Sequence, residues 1–383
     1  TSLPTEPSSK TNTMLLLAGG VFALGFLQIP GLYFNIRYLV AGTVTPGKLL
    51  IIHDWYFFPS LILFWVSVVA LGHVLSNGFN YLFGLLSLLN ILAIGLPILF
   101  FIRICLRGLD LPGKRLGWSI FGTALIIPPT LAIILEGFAT GVILLFFYFY
   151  ANSLPGMQNA LLNLVNSIRY DNQFTNFTDK FAADLLFAPG AAFSAFVLFS
   201  IVVPLVEEVS KILIIIPLLK RTRSEIDGFI LGTLCGAAFA FTENIGFSSM
   251  FADNWAAGVT TRAIASLPHI FTSGLFGFGM VQAWKNRNIK QFILSLITAI
   301  FVHGLWNAIS LGLTMNSFVP FVDNAPLLVK SPVPFLVAWI ILIFGTLGGL
   351  VKNNVKMQKL QEKYRSEKLV YNSQTNLINL GDN

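Results

Sequence analysis

Glu207-Glu208-Val209-Ser210-Lys211 stands between two apolar runs, Phe193-Ala-Phe-Val-Leu-Phe-Ser-Ile-Val-Val-Pro-Leu-Val and Ile212-Leu-Ile-Ile-Ile-Pro-Leu-Leu. The whole stretch, 190–219, is long enough to span a bilayer, and it carries two carboxylates and an ammonium inside it. An ionised group near mid-bilayer costs roughly 2.5–3.5 kcal/mol, so three facing lipid would cost about 8–10 kcal/mol. They therefore face the protein interior. On a helix Lys211 lies within reach of Glu207 at i+4 and of Glu208 at i+3, and it is expected to serve as structural support that keeps one of them charged. Adjacent residues point about 100° apart, which leaves the second glutamate for other work. Pro204, one turn earlier, removes a backbone donor and bends the helix. An acid on a bent intramembrane helix marks a functional site by default.

The rest of the chain agrees with a membrane setting. Only 11% of the 383 residues are charged, 55% are hydrophobic, and the mean hydropathy is +0.76. Such a composition belongs to polytopic membrane proteins rather than soluble ones. Apolar stretches of spanning length fall at 14–34, 57–75, 79–102, 117–150, 190–219, 226–248, 263–283, 289–313 and 333–351, which predicts an all-α bundle of nine transmembrane helices. The first is too long and too weakly flanked for a cleaved signal peptide and is expected as a retained span. The fourth contains Pro128-Pro129 and Glu136, and is either one kinked, tilted helix or a helix plus a re-entrant piece. Charge decides: with one crossing there, 18 Lys and Arg lie on one face and only Lys10, Arg169, Lys180, Arg262 and Lys330 on the other. The positive-inside rule then places the N-terminus outside and the C-terminus in the cytoplasm. This asymmetry accounts for the net charge of +7 without nucleic acid as a partner. Cys105 and Cys235, in or beside apolar runs, form no disulfide framework and no cysteine metal site.

The expected organisation is an accessory set of N-terminal helices over 1–150, an external loop over 151–189, a core over 190–313, a last span with its external loop over 314–351, and a basic cytoplasmic tail over 352–383. In the loop, Leu161, Leu162, Leu164, Val165 and Ile168 recur at helical spacing, which suits an interfacial helix, either packed on the spans or covering a site. Asn176-Phe177-Thr178 is a glycosylation sequon. The tail extends the last helix, and anionic lipid would attract its lysines. Gly228, Gly232 and Gly236 form a small-residue stripe that admits a neighbouring helix closely and carries Glu243 toward it.

Beyond the acid pair, the later spans hold Glu243-Asn244, His269, and His303 with Trp306 and Asn307. Counted at about 1.5 Å per residue from the basic span ends, Glu207, Glu243, His269 and His303 all lie about 20–24 Å deep. Taken singly each has a duller reading: His53 and His73 near span ends satisfy a carbonyl, Glu136 is interfacial, and Arg262 is a snorkelling anchor. Shared depth sets Glu207, Glu208, Glu243, His269, His303 and Asn307 apart as one site. Composition does not separate catalysis from ion-coupled transport or a silent scaffold. Transporters, however, repeat their broken helices in both halves, and here those are confined to 190–313.

The series Glu207-Glu208-x-x-Lys211, Phe239-x-x-x-Glu243-Asn244, His269 and His303-x-x-x-Asn307 resembles the motifs of PrsW-type intramembrane proteases, relatives of the CAAX prenyl endopeptidases and of bacterial immunity-type membrane proteases. In the CAAX relatives the second motif ends in histidine where this chain has Glu243. The resemblance covers about 190–313 and implies peptide-bond hydrolysis within or just above the membrane; a membrane-protein substrate, a plasma-membrane location and zinc as the metal are further expectations. Amide hydrolysis needs water deprotonated, an oxyanion stabilised and an amine protonated. Either His269, His303 and Glu243 hold zinc while another glutamate acts as base, or Glu207 activates water directly while His303 and Asn307 stabilise the oxyanion.

Overall fold

The computed structural model describes residues 9–42, 54–78, 83–152, 186–187, 189–251, 254–322 and 325–381. Among these residues every regular element is helical, and nine helical segments are long and apolar enough to cross a membrane, matching the nine stretches expected. The helices are α1 (Ser9–Phe26), α2 (Ile29–Ala41), α3 (Asp54–Gly78), α4 (Phe83–Leu106), α5 (Lys114–Asn152), α6 (Pro189–Val197), α7 (Val203–Leu213), α8 (Glu225–Met250), α9 (Trp255–Asn286), α10 (Ile289–Phe318) and α11 (Val333–Gly381). The stretch with Pro128-Pro129 is one continuous 39-residue helix, α5, rather than a helix plus a re-entrant piece. His53, the proposed interfacial helix at 161–168 and the sequon lie outside the described residues.

The chain divides into two compact units, one of residues 1–129, 211–299 and 345–383, the other of 130–210 and 300–344. In the first, α8 and α9 form the centre, both largely buried. Their contact is backbone on backbone. A Cβ on Gly228 would stand 2.6 Å from the Gly277 carbonyl oxygen, and Cβ atoms on Gly232 and Gly236 would run into the carbonyls of Ser273 and His269. The stripe read in the sequence is therefore filled by the facing helix, as small residues in membranes allow. α1, α3 and α4 pack onto this pair: Gly20 receives Ile245, Gly72 receives the Trp255 ring, and Trp255 Nε1 donates to buried Asn90 Oδ1 at 3.0 Å.

The tail extends α11 into a 49-residue helix, as expected, and it also packs. Leu350, Asn354, Met357 and Gln361, at three- and four-residue steps, are buried. The last carbonyls of a helix have no intrahelical donors, and here tail amides supply them. Asn354 Nδ2 donates to the Cys105 and Arg107 carbonyls, both at 2.8 Å, and Gln361 Nε2 to that of Gly108 at 3.1 Å. Gly108 takes the left-handed conformation that ends α4, with φ 72°.

In the second unit, α6 passes into a single π turn, Leu198–Val202, before α7. Pro204 explains the widening, because it lacks the N–H that would bind the Ser200 carbonyl one turn back. α10 closes onto this turn: a Cβ on Gly304 would collide with the Ser200 carbonyl, and Asn307 Nδ2 donates to the Phe199 carbonyl at 3.0 Å.

Candidate functional site

On α7 the buried positions are Pro204, Glu207, Glu208, Ser210, Lys211 and Ile212, while Leu205, Val209 and Leu213 are exposed. That spacing follows one helix face. The charged residues face inward and the aliphatic ones remain for lipid, as the cost of burying charge requires.

Within the second unit, Glu207 and Glu208 both meet His303 of α10. Glu208 Oε1 lies 2.9 Å from His303 Nδ1, and Glu207 Oε2 lies 3.7 Å from Nε2. All three are buried. The shorter contact is a hydrogen bond that places the ring proton on Nδ1, which turns the Nε2 lone pair toward Glu207. Gly304, the next residue, lets α10 approach closely enough for this contact. Asn307 shares the face but spends an amide hydrogen on Phe199, so it fastens the π turn ahead of the acid pair.

Within the first unit, His269 of α9 is the centre. Glu243 Oε2 lies 2.9 Å from its Nε2, and Lys211 Nζ lies 2.8 Å from its Nδ1. Lysine offers only donors, so Nδ1 accepts and the ring proton points to Glu243. Lys211 is fully buried, with its ammonium 4.2 Å above the Phe239 ring, and that ring lies 5.6 Å from the imidazole. Its main chain is held as well: α7 stops before Ile215 can bond the Lys211 carbonyl, and Cys235 Sγ donates to that carbonyl instead, at 2.7 Å.

Sequence reasoning missed Arg262. Expected at the membrane surface as an anchor, it turns inward: Nη2 donates to Glu243 Oε1 at 2.5 Å, Nε donates to Asn244 Oδ1 at 2.8 Å, and the guanidinium lies 4.5 Å over Phe247. Asn244 Nδ2 in turn donates to Ser266 Oγ at 2.8 Å. The signal was present in the spacing, since Arg262 precedes His269 by seven residues, two turns of the same helix face.

Each imidazole thus has one nitrogen committed to a carboxylate, the arrangement that fixes the tautomer of a metal-ligating histidine. Glu207 and His303 in the second unit and His269 in the first are all buried, and each offers an atom of a kind that metal ions take.

Carboxylates paired with imidazoles inside apolar spans are the equipment of a membrane-embedded hydrolase. The chain matches the PrsW family intramembrane metalloproteases over residues 115–343, more than half of its length, and it belongs to that family. It is a multi-pass membrane protease, and its substrates are membrane proteins in the bilayer. The match is wider than the 190–313 carried by the motifs and takes in α5. No curated protein and no solved structure matches the chain.

Proposed function

We propose that the protein cleaves single-span or membrane-anchored proteins at a site composed of Glu207, Glu208, Glu243, His269, His303 and Asn307, and that its metal is zinc. The observation that carries this reading is the environment of His303: Nδ1 is held by Glu208, and Nε2 stands 3.7 Å from Glu207 Oε2. That separation exceeds a hydrogen bond. It is near the roughly 3.4 Å expected between two donors each about 2.1 Å from one tetrahedral ion. We assign His303 and Glu207 as ligands; His269, which the sequence also offers, would join them through Nδ1 in exchange for its contact with Lys211. Glu243, which the sequence also offers as a ligand, is better suited to orient His269, because its other oxygen is engaged by Arg262. A bound divalent metal supplies Lewis-acid polarisation of the scissile carbonyl and eases the deprotonation of water.

The protein's own groups do the remaining work. Glu208, which is not assigned to the metal, accepts a proton from water as the water oxygen attacks the carbonyl carbon, and the proton is delivered to the leaving amine when the C–N bond breaks. Glu208 and Glu243 keep the imidazoles in fixed tautomers. Asn307 holds the π turn that presents the acid pair, and Lys211 is structural support. Residues 1–150 are accessory, with α1, α3 and α4 packed on α8 and α9. We further assign the N-terminus to the outside and the tail to the cytoplasm against anionic lipid, on the 18-to-5 division of basic residues, and propose the plasma membrane as the location.

The test is cleavage of a co-reconstituted single-span substrate, with metal analysis of the same preparation. Glu207→Gln should abolish cleavage, and active, chelator-washed protein should retain stoichiometric zinc. Active protein without any transition metal, still silenced by Glu207→Gln, would overturn the metal assignment and leave the glutamate acting on water directly.

A further inference from the structure

A cavity of about 540 Å³, far along α8 and α9 from His269, lies where the span ending at Leu106, the span starting at Glu225 and the span ending at Asn286 all reach one membrane surface. Ligand sites commonly have this size. Its walls come from the 107–113 loop, the start of α8, the end of α9 and the tail of α11. Four cations stand around it, Arg223, Lys285, Arg365 and Lys368, against three acids, Asp110, Glu225 and Asp227.

The two signs are not disposed alike. Asp227 and Glu225 are buried and engaged by protein donors: Asp227 by Arg223 Nε and Nη2, Glu225 by Tyr364 OH at 2.8 Å and Gln282 Nε2 at 3.1 Å. Asp110 holds Nη2 of Arg365. The guanidiniums themselves remain open to solvent, with the Arg223 and Arg365 side chains 66% and 57% exposed. A guanidinium has five N–H donors in a planar fork, and the bond to Asp227 occupies two of those of Arg223. The carboxylates thus hold part of each fork in place, and the Lys285 ammonium donates to the Thr222 carbonyl beside them. Paired guanidiniums with neighbouring ammoniums are the chemistry that takes phosphate.

We propose that this cavity binds a phosphate-bearing anion at the membrane surface. The source is either a lipid headgroup or a soluble phosphate. The proposal sharpens the tail's general attraction for anionic lipid into one site, and it rests on that reading only for the lipid source. Binding there ties the tail to the ends of α8 and α9, the two helices that carry Glu243 and His269.

The test compares the purified full chain with two double variants of equal charge loss. Lys285→Gln with Lys368→Gln removes cations of the cavity, and Lys352→Gln with Lys359→Gln removes cations of the tail and its approach outside it. Native mass spectrometry with added phosphatidic acid reads lipid binding, and thermal melting with inorganic phosphate or pyrophosphate reads the soluble source. Losing charged hydrogen bonds should weaken binding about tenfold or more in the cavity variant and under about twofold in the control. Response to phosphatidic acid alone identifies a headgroup, and response to the inorganic probes identifies a soluble ligand. Equal loss in both variants would overturn the site and leave diffuse attraction, and absence of binding by every probe would overturn both. Lys368→Glu alone, at an exposed position, repeats the comparison should the cavity variant fail to fold.

Discussion

Replacing Arg262 by methionine tests the reading of the His269 environment most directly. The substitution keeps an apolar stem over Phe247 and removes the forked contact to Glu243 and Asn244, whose two bonds measure 2.5 and 2.8 Å. Glu243 then loses the group that aims it at His269 Nε2. Outer partners of ligating histidines are typically worth 10–100-fold in metal affinity or activity, or about 1.4–2.7 kcal/mol. Breaking a buried ion pair costs about 3–5 kcal/mol of stability. Here the two side chains retain 19% and 18% exposure, so the lower end, about 3 kcal/mol, is expected. The assay is initial-rate cleavage of a co-reconstituted single-span substrate, normalised to folded protein by size-exclusion chromatography. Activity per folded molecule should fall about 10–100-fold. Arg262→Lys should recover part of it, because the charge persists but the fork does not. In a double-mutant cycle, Arg262→Met should add little to the loss from Glu243→Gln, since both act on one pair. Folded Arg262→Met protein with activity within about twofold of the parent would refute the assignment.

Lys211→Met should lower folded yield more than specific activity, because it removes a fully buried group beside His269; well-folded but inactive protein would move Lys211 into the mechanism. Gly232→Ala should lower the melting temperature by forcing α8 off the Ser273 carbonyl, at about 1–3 kcal/mol, while Gly246→Ala, with nothing within 4 Å of its Cβ, should be neutral or stabilising. Equal melting temperatures for the two would mean that the stripe does not set the approach. Accessibility tags at residue 170 and at the C-terminus should report opposite faces, with 170 outside. Both on one face would mean a miscounted span.

The number of spans and the inward aim of Glu207, Glu208 and Lys211 were determined by the sequence alone. Both follow from transfer cost, which depends on local composition: an apolar run of spanning length has few alternatives, and a charged face within it has only the interior. Glycines at four-residue steps likewise announced a close helix contact, and the facing carbonyls of α9 bear that out. Partnership was another matter. That Glu208 takes Nδ1 of His303, that Lys211 meets His269, that Arg262 turns inward to Glu243, and that tail amides about 250 residues away cap α4 were decided only by the tertiary structure. A span's composition sets its depth to within a turn, whereas a hydrogen bond requires placement within a few tenths of an ångström, and that precision comes from how the helices rotate and pack against one another.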